Sequence, residues 1–511
     1  MSSLALLLVI ACYALLLLLI SWRTSRKAND RTFYTGNRQS PWYVVAYGMI
    51  GASLSGVTFM SVPGWVGDTQ FSYMMVILGY VAGYAVIALV LLPLYYKLNL
   101  TSIYTYLERR FGAYTVKTGA SFFILSRLLG STLRLFLAMF ILDIFVFGPL
   151  GVPFWLVTAL TVLLILLYTF KGGIRTIVWT DTLQTTFMLF SVAITIYLIC
   201  KSFDWSFTGM VSNVWNSDYS RVIVTDWTDR RFFLKQFVSG IFITIAMTGL
   251  DMDMMQKNLT CRSLRDAQKN MFTFSGTLII INIMFLTLGV LLHFYAAAND
   301  VVAVSSDSLF AHITIQHLGA FAAIVFFIGL LAAAWSSADG TLTALTTAFC
   351  IDVIGIDKRT LPDKRKIHIR YAVHFTFAVL FVILIMQFRQ LNNKAIIDQV
   401  FTIAGYTYGP LLGLYSFGLF TRLAVRDRAV PIVAIASPVI CFILDANSTQ
   451  WFNGYQFGFE MLIVNGLITF AGLWALSRRA GCVKRATSRL TPLRRCSSTA
   501  LSPFYTPTTF L

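Results

Sequence analysis

Two stretches of this sequence place oxygen-bearing residues inside otherwise apolar surroundings. Residues 48–58 read GMIGASLSGVT, and residues 331–341 read LAAAWSSADGT, in which Ser336 and Ser337 are closely followed by Asp339. Glycine and serine weaken a helix, so the carbonyl oxygens freed there must be satisfied by another group. Carbonyl and hydroxyl oxygens suit a hard cation and not zinc or copper. The two stretches therefore predict a site for a hard monovalent or divalent cation.

Ordinary helix packing offers an alternative explanation for both stretches. Small residues spaced four apart in 48–58 permit close contacts between helices. The hydroxyls of Ser336 and Ser337 can bond back to the preceding helical turn. Neither explanation covers Asp339, because a carboxylate at membrane depth is costly and is a functional candidate by default.

Other charged residues also fall inside apolar stretches. Asp181 is predicted to lie a turn or two from the inner membrane face. There it would either serve a cation path or pair with Arg127, Arg134 or Arg175. Arg127 and Arg134 are seven residues apart, so they share one helix face. That face is expected to point into a helix bundle.

No pattern in the sequence favours enzyme chemistry. Asp251 and Asp253 resemble a carboxylate pair for acid–base catalysis, but a basic loop follows them, so ion pairing with that loop is the favoured interpretation. The five histidines have no metal-binding spacing, and the GxSxG, P-loop and GxGxxG motifs are absent. The lack of a P-loop also argues against an ATP-driven pump.

The elements that must hold these residues are membrane-spanning helices. The chain has 511 residues, 57% of them hydrophobic and only 12% charged, whereas a soluble domain carries about 25% charged residues. Continuous apolar runs of about 20 residues recur along the chain, and such runs predict helices and not a barrel. We predict about thirteen spans: a leading helix at 4–22, core spans 1 to 10 near 43–66, 73–96, 119–148, 152–170, 174–200, 236–256, 271–297, 319–351, 371–388 and 395–421, and two trailing helices near 430–444 and 458–477.

The distribution of basic residues predicts the orientation. The net charge is +18, and most of the 40 Lys and Arg residues fall in alternate loops, starting with the one after the leading helix. The positive-inside rule makes these loops cytoplasmic, with the N-terminus outside and the C-terminus inside. The basic excess is therefore a topology signal and not a nucleic-acid footprint. We expect a transmembrane domain over 1–477, followed by a basic, disordered cytoplasmic tail over 478–511. The expected location is a cell membrane, namely a bacterial inner membrane.

Several motifs are together similar to those of one known family. The matching stretches are GASLSG at 51–56, GGIR at 172–175, WTD at 179–181 with Gln184, AAWSS at 333–337, the inner-loop residues 254–268, and GPLLGL at 409–414. With them the chain resembles the solute:sodium symporter family over roughly residues 5 to 475. Members of that family transport sugars, proline, pantothenate, sialic acid, iodide and monocarboxylates.

The resemblance implies an all-α membrane protein with a leucine-transporter-like fold. In that fold two inverted repeats of five helices, here at about 43–200 and 236–421, contain two broken helices. The leading helix precedes the repeats, and two trailing helices within 430–477 follow them. The implied function is sodium-coupled secondary active uptake of a small organic solute by alternating access, with membrane lipid as the surrounding partner.

A sodium site between core spans 1 and 8 is also implied by the resemblance. By position, the carbonyls of Gly51, Leu54 and Ala333 and the hydroxyls of Ser336 and Ser337 would hold one ion. This site coincides with the cation site that the two oxygen-rich stretches predict without the resemblance.

The number of co-transported sodium ions, one or two, stays open at this point. Asp181 falls at an acidic position that, in some members, contributes to a second sodium site or to coupling. Members with a second site usually carry Ser or Thr where this chain has Asp339 and Gly340. The Asp339 carboxylate would either strengthen a second site or take a proton and so change the stoichiometry.

The solute pocket departs from that of the sugar-transporting members. Those members place polar residues where this chain has Ile77, Met247 and Ala404, so a hexose bound in the same manner is not expected. The candidate solute contacts that remain are Ser53, Ser55, Thr58, Thr244 and Tyr406.

Three alternatives to this function stay open on the sequence. The first is a proton-coupled or uncoupled carrier that has kept the same fold. A membrane sensor is less expected, because the short tail holds no kinase-like sequence. An intramembrane enzyme is the least expected, since no paired nucleophile and base and no metal-binding spacing are present.

Overall fold

The computed structural model shows an almost entirely helical protein. It describes residues 3–25, 30–170, 173–302, 305–391 and 396–478. Gly172 of the GGIR motif and residues 479–511 of the predicted tail lie outside the described residues. Arg478, the first residue of that predicted tail, instead belongs to a two-residue antiparallel sheet in which β1 (Ala424–Val425) pairs with β2 (Ser477–Arg478).

The helices follow one another with mostly short connections. In chain order the α-helices are α1 Ser3–Ser25, α2 Asp30–Thr35, α3 Trp42–Ser53, α4 Gly56–Thr69, α5 Tyr73–Val86, α6 Leu92–Lys97, α7 Thr105–Arg110, α8 Ala113–Leu142, α9 Phe154–Thr169, α10 Ile174–Ser202, α11 Phe207–Trp215, α12 Phe233–Thr244, α13 Met252–Asn258, α14 Leu264–Ala298, α15 Leu309–Gln316, α16 Ala320–Ala348, α17 Asp363–Leu391, α18 Ile396–Phe420, α19 Val430–Ala446, α20 Ser448–Trp451 and α21 Met461–Ala475. Turns of π-helix join α5 to α6 and extend α8, α12 and α16 at their C-terminal ends.

The length and composition of these helices confirm an all-helical membrane protein. Eight described helices are long and apolar enough to cross a membrane, or up to ten if each of two bent helix pairs is counted as one span. Two further apolar helices, α9 and α21, are shorter. The predicted total of about thirteen spans stays a prediction.

Three helices begin earlier than the hydropathy predicts. α8 begins at Ala113, α14 at Leu264 and α17 at Asp363, whereas the apolar runs begin near 119, 271 and 371. Each added segment carries Lys or Arg side chains. Hydropathy detects only the part of a helix that lies in the hydrocarbon, so polar turns at the interface are missed.

Two spans are broken, as the resemblance implied. α3 and α4 meet at 58°, and between them Leu54 has a ψ of 75° while Ser55 is extended, with a ψ of 176°. The second broken span joins α12, with its π-helical turn, to α13 at 70°. Where a helix ends, its last carbonyl oxygens have no partner within the helix. At the second break the carbonyls of Gly249 and Leu250 accept the hydroxyls of Tyr95 and Tyr104, so the first break is the better place for a ligand.

α16 is the central helix of the bundle. In its most apolar stretch 78% of the residues are buried, compared with 22% in α1, and it packs against α3, α4, α8 and α10. Its alanine-rich sequence from Ala332 to Ala334 permits this close approach. As a result, Ser336, Ser337 and Asp339 lie fully buried in the middle of the protein.

The loop between α10 and α12, at 203–232, folds over the C-terminal end of α4. It contains α11, whose first turn is capped by the Ser206 hydroxyl, which accepts the Gly209 N–H at 3.2 Å. Further along, Arg231 pairs with Asp229 at 2.8 Å and donates to the carbonyl of Asp68 in α4 at 3.1 Å. The Arg231 guanidinium holds the pKa of Asp229 below its usual range. The loop is thus tied to the first broken span.

Candidate functional site

The break between α3 and α4 lies between α16 and α10. Gly56 is so close to α16 that an added Cβ would lie 3.5 Å from the Cα of Ala334. On the opposite side the N–H of Gly51 donates to Thr185 Oγ1 of α10 at 3.0 Å. Among the described residues, no hydrogen bond ends on the carbonyl oxygen of Gly51 or Leu54. Two partnerless carbonyl oxygens therefore lie at the break, next to α16.

The two serines of α16 do not bond back to their own helix. Ser336 Oγ donates to Asp181 Oδ1 of α10 at 2.6 Å, and Ser337 Oγ has no hydrogen-bond partner within the described part of the chain. By contrast, Thr341 and Thr346 donate to carbonyls four residues earlier, at 2.8 and 2.7 Å. The back-bonding explanation thus holds for these threonines and not for the serines. A buried hydroxyl without a partner calls for a bound ion or water.

Asp181 pairs with a lysine and not with any of the three arginines considered from the sequence. Lys257 Nζ lies 2.9 Å from Asp181 Oδ2 and 3.4 Å from Asp253 Oδ1. The sequence placed Lys257 in the inner loop, but it belongs to α13 and its side chain is only 1% exposed. The 70° break before α13 explains this position, because it directs the short helix across the bundle.

Asp251 and Asp253 pair inside the bundle, and the expected local ion pair forms only between Asp253 and Lys257. Arg127 of α8 pairs with Asp253 and lies 3.6 Å from Asp251 Oδ2. Tyr408 of α18 also donates its hydroxyl to Asp251. Arg127, both aspartates and Lys257 are buried. The second broken span is thus fixed to α8, α10 and α18 by buried charge contacts.

Asp339 is the least satisfied of these carboxylates. The Tyr168 hydroxyl of α9 donates to Asp339 Oδ2 at 3.0 Å, whereas Asp339 Oδ1 has no hydrogen-bond partner among the residues described. Both amide atoms of Gln184 and the hydroxyl of Tyr13 are also buried without a partner there. Tyr13 belongs to α1, so the leading helix contributes a polar group to the centre of the protein.

A polar cavity of about 90 Å³ lies beside the first break. Four of the five predicted solute contacts line it: Ser53, Ser55, Thr58 and Thr244. The tyrosines that line it are Tyr73, Tyr80 and Tyr84. The fifth predicted contact, Tyr406, lines a separate vestibule of about 740 Å³, and its hydroxyl donates to Asp445 at 2.9 Å. A role of Tyr406 in solute binding therefore stays a prediction.

Arg134 also lines this cavity. From the sequence, Arg134 is predicted only as one of three possible arginine partners of Asp181. Across the described ranges, Arg134 takes part in no ion pair and its guanidinium donates no hydrogen bond. An arginine in the middle of an apolar span is a functional candidate by default. That general signal was available in the sequence.

Four aromatic rings separate the cavity from the vestibule. Trp65, Tyr73, Phe401 and Phe459 form a closed collar, with ring centroids 5.9 Å apart for Trp65 and Tyr73 and 6.5 Å apart for Tyr73 and Phe401. The circle is completed by distances of 4.7 Å from Phe401 to Phe459 and 6.4 Å from Phe459 to Trp65. Tyr73 and Phe401 line both spaces. The collar therefore lies at the boundary between the vestibule and the cavity.

The chain is similar to one known protein family and to several characterised transporters. The model of the family described as "Sodium:solute symporter family" matches residues 33–429. The sodium/sialic acid symporter of Aliivibrio fischeri is 23% identical over 87% of this chain and 88% of that protein. The sodium-coupled monocarboxylate transporter 1 of Mus musculus is 23% identical over 77% of this chain and 65% of that protein.

A solved structure gives the same architecture. A Na⁺-coupled sialic acid symporter in a substrate-bound outward-open state superposes with a TM-score of 0.79 at 20% sequence identity. The match covers 93% of this chain and 99% of that one. At such low identity the likeness shows the fold, and it confirms the predicted leucine-transporter-like arrangement.

Proposed function

This chain belongs to the sodium:solute symporter family and is a sodium-coupled solute transporter, and we propose that its solute is a small organic anion whose carboxylate binds Arg134. The observation that carries this proposal is the guanidinium of Arg134, which has no ion-pair partner in the described structure and lines the central cavity. Arg134 is partly buried within an apolar span, and a charge withdrawn from water without a partner is unfavourable. A carboxylate supplied by the solute would pair with it.

The chemistry of arginine narrows the class of solute. A guanidinium presents a planar fork of donors that matches a carboxylate bidentately. The cavity adds hydroxyl groups from Ser53, Ser55, Thr58 and three tyrosines, which suit a solute with further polar groups. Sialic acid and monocarboxylates, named in the relatives above, are carboxylic acids. These relatives support an acid as the solute of this chain.

For sodium we propose one site at the first break. The carbonyls of Gly51, Leu54 and Ala333 and the hydroxyls of Ser336 and Ser337 would hold the ion. Support comes from the free carbonyls at the break, from the partnerless Ser337 hydroxyl and from the close approach of α4 to α16. A sodium ion there would connect the broken span to α16.

Sodium and solute would be coupled through the residues of the break itself. Leu54 is the proposed sodium ligand, while Ser53 and Ser55 on either side of it line the solute cavity. An ion that fixes Leu54 therefore also orders two solute contacts. Such a shared segment gives each ligand an effect on the affinity of the other. Asp181, which accepts the Ser336 hydroxyl, and Asp339 would tune this coupling by their charge.

The direction of transport follows from the proposed topology. The vestibule lies beside α4 and the loop between α10 and α12, which the proposed topology places outside. Solute would therefore enter from outside, cross the aromatic collar and bind beside the break. We propose that the N-terminus of this multi-pass membrane protein lies outside and its C-terminus inside, in a bacterial inner membrane. Inward sodium movement would then drive uptake, because one charge crossing the membrane is worth about 2.3 kcal/mol per 100 mV.

Uptake by reconstituted protein tests this proposal. Proteoliposomes would be given radiolabelled sialic acid or lactate under an inward sodium gradient, an equal potassium gradient, or a proton gradient alone. We expect accumulation only with sodium, and competition by free carboxylates but not by their uncharged methyl esters. Accumulation that ignores sodium would overturn the sodium coupling, and equal competition by the esters would overturn the role of Arg134.

A further inference from the structure

We infer that the ammonium group of Lys257 permanently fills an acidic pocket between α10, α13 and α16, in place of a mobile cation. A single sodium ion, the one at Ser336 and Ser337, would then accompany the solute. This inference rests on the proposed sodium site. It concerns the number of sodium ions that move with each solute molecule. It gives a role to a buried charged residue that the proposed function does not use.

The geometry of the pocket is that of a cation site with its cation built in. Lys257 Nζ lies 2.9 Å from Asp181 Oδ2 and 3.4 Å from Asp253 Oδ1, and all three side chains are at most 1% exposed. Asp253 and Lys257 are one helical turn apart on α13, and Asp181 comes from α10. An ammonium is a compact point charge on a flexible stem. It can therefore occupy the position that a small cation would take between two carboxylates.

Gly340 of α16 makes the space that Lys257 occupies. A Cβ added at Gly340 would lie 2.9 Å from Lys257 Nζ and 2.5 Å from Asp253 Oδ1. Any residue larger than glycine would therefore displace the ammonium or the carboxylate. The residue beside it, Asp339, adds a further carboxylate on the same helix, fully buried. α16 thus combines an added negative charge with the gap that admits the lysine.

The cost of displacing Lys257 argues against a second mobile ion in this pocket. Within the described residues, two paired cations serve a buried cluster of four carboxylates. The cations are Arg127 and Lys257, and the carboxylates are those of Asp181, Asp251, Asp253 and Asp339. One sodium ion near Ser336 would reduce the negative excess. A second sodium ion between the carboxylates would have to drive the ammonium out into apolar surroundings, which is a costly step.

The two carboxylate oxygens of Asp181 face two different cation positions, the proposed sodium site and the position of the Lys257 ammonium. Its Oδ1 accepts the Ser336 hydroxyl at 2.6 Å, and its Oδ2 faces Lys257. The first position has only neutral oxygen ligands and no fixed cation, so it can take and release sodium. The second holds a cation that is covalently part of the protein and cannot leave.

Counting bound sodium ions tests the inference. Equilibrium binding of ²²Na⁺ to the purified full-length chain at pH 8 would be measured to saturation. We expect one ion per chain in the wild type, bound about tenfold more weakly in Ser337→Ala. We expect two ions in Lys257→Met, because the vacated carboxylates would then attract a second sodium. The exposed lysine variant Lys269→Met is the matched control and should bind one ion.

The outcomes separate this inference from the proposed function. Two ions in the wild type, or one ion or none in folded Lys257→Met, would overturn the built-in cation while leaving sodium-driven uptake intact. No sodium binding at all in the wild type would instead contradict the proposed sodium site. If Lys257→Met does not fold, Lys257→Gln replaces it, with the same expected count of two, because both carboxylates of the pocket remain.

Discussion

Arg127 and Arg134 occupy the same face of the same helix, but their surroundings in the structure differ. Arg127 pairs with Asp253 and lies close to Asp251. Arg134 has no ion pair among the described residues and lines the central cavity. An arginine within an apolar span therefore has a structural role where the fold places a carboxylate beside it. Where the fold places none there, the arginine can bind a ligand.

The two broken spans create this difference. Seven residues along a helix correspond to about 10 Å, so the two arginines lie at different depths. The break before α13 brings Asp251 and Asp253 to Arg127. Arg134 lies at the other break, where an added Cβ on Gly56 would be 3.6 Å from the Arg134 carbonyl oxygen. That break exposes backbone and hydroxyl oxygens and brings no carboxylate to Arg134.

Removing Arg127 is expected to have the largest effect. Arg127→Met would leave Asp251 and Asp253 short of a cation, and breaking a buried pair costs about 3–5 kcal/mol. We expect little monodisperse protein in detergent, measured by size-exclusion chromatography. The matched control, Arg389→Met, removes an exposed pair with Asp143 and should cost less than about 1 kcal/mol. A normal yield of the Arg127 variant would contradict its structural role.

Removing Arg134 should weaken solute binding while leaving the fold intact. No ion pair in the described structure depends on Arg134, so Arg134→Gln should elute and melt like the wild type. A hydrogen bond to a charged group contributes about 1.5–3 kcal/mol, so apparent affinity for the carboxylate should fall about 10- to 100-fold. Arg134→Lys, which keeps the charge without the planar fork, should lie in between. Unchanged uptake kinetics in Arg134→Gln would refute the comparison.

Replacing Ser337 should affect sodium and not stability. Its hydroxyl has no partner in the described residues, so Ser337→Ala should melt normally in potassium. The loss of one ligand to a cation should raise the sodium concentration for half-maximal uptake about tenfold, equivalent to about 1.4 kcal/mol. Thr341→Val is the control, because the Thr341 hydroxyl already donates a hydrogen bond to the Ser337 carbonyl. An equal sodium shift in both variants would speak against the site.

The smallest effects should separate the cavity from the vestibule. Thr244→Val removes a partnerless hydroxyl from the cavity, and a neutral hydrogen bond is worth about 0.5–1.5 kcal/mol. Solute affinity should therefore fall about 2- to 10-fold. Tyr406→Phe loses only a hydrogen bond to Asp445 in the vestibule and should leave affinity unchanged. Competition binding measures both, and the reverse order would place Tyr406 at the solute.

The fold could be predicted from the sequence because the bilayer simplifies the problem. Apolar runs long enough to cross it identify most helices, and the glycine and serine residues of 48–58 mark the first break. The same logic identifies Ser336, Ser337 and Asp339, since polar residues are conspicuous in an apolar helix. These features depend only on neighbours along the chain.

The partners of the buried charges could not be predicted in this way. Lys257 follows an apolar span and precedes a basic loop, so hydropathy assigns it to the loop, whereas the 70° break carries it into the bundle. Arg127 and Arg134 have equivalent sequence surroundings, and only the placement of α13 distinguishes them. The rotation of α18 likewise decides that Tyr406 faces the vestibule. Each of these depends on contacts between distant segments.

Thermal unfolding with and without solute tests the central claim most directly. A ligand that binds only the folded state raises stability by RT ln(1 + [L]/Kd). Purified wild type and Arg134→Gln would be melted in sodium or potassium chloride, each with and without sialic acid or lactate. We predict a sodium-specific rise in both proteins, and a further rise with carboxylate in the wild type only and in sodium only. A carboxylate-induced rise of equal size in Arg134→Gln, or in potassium, would contradict the account.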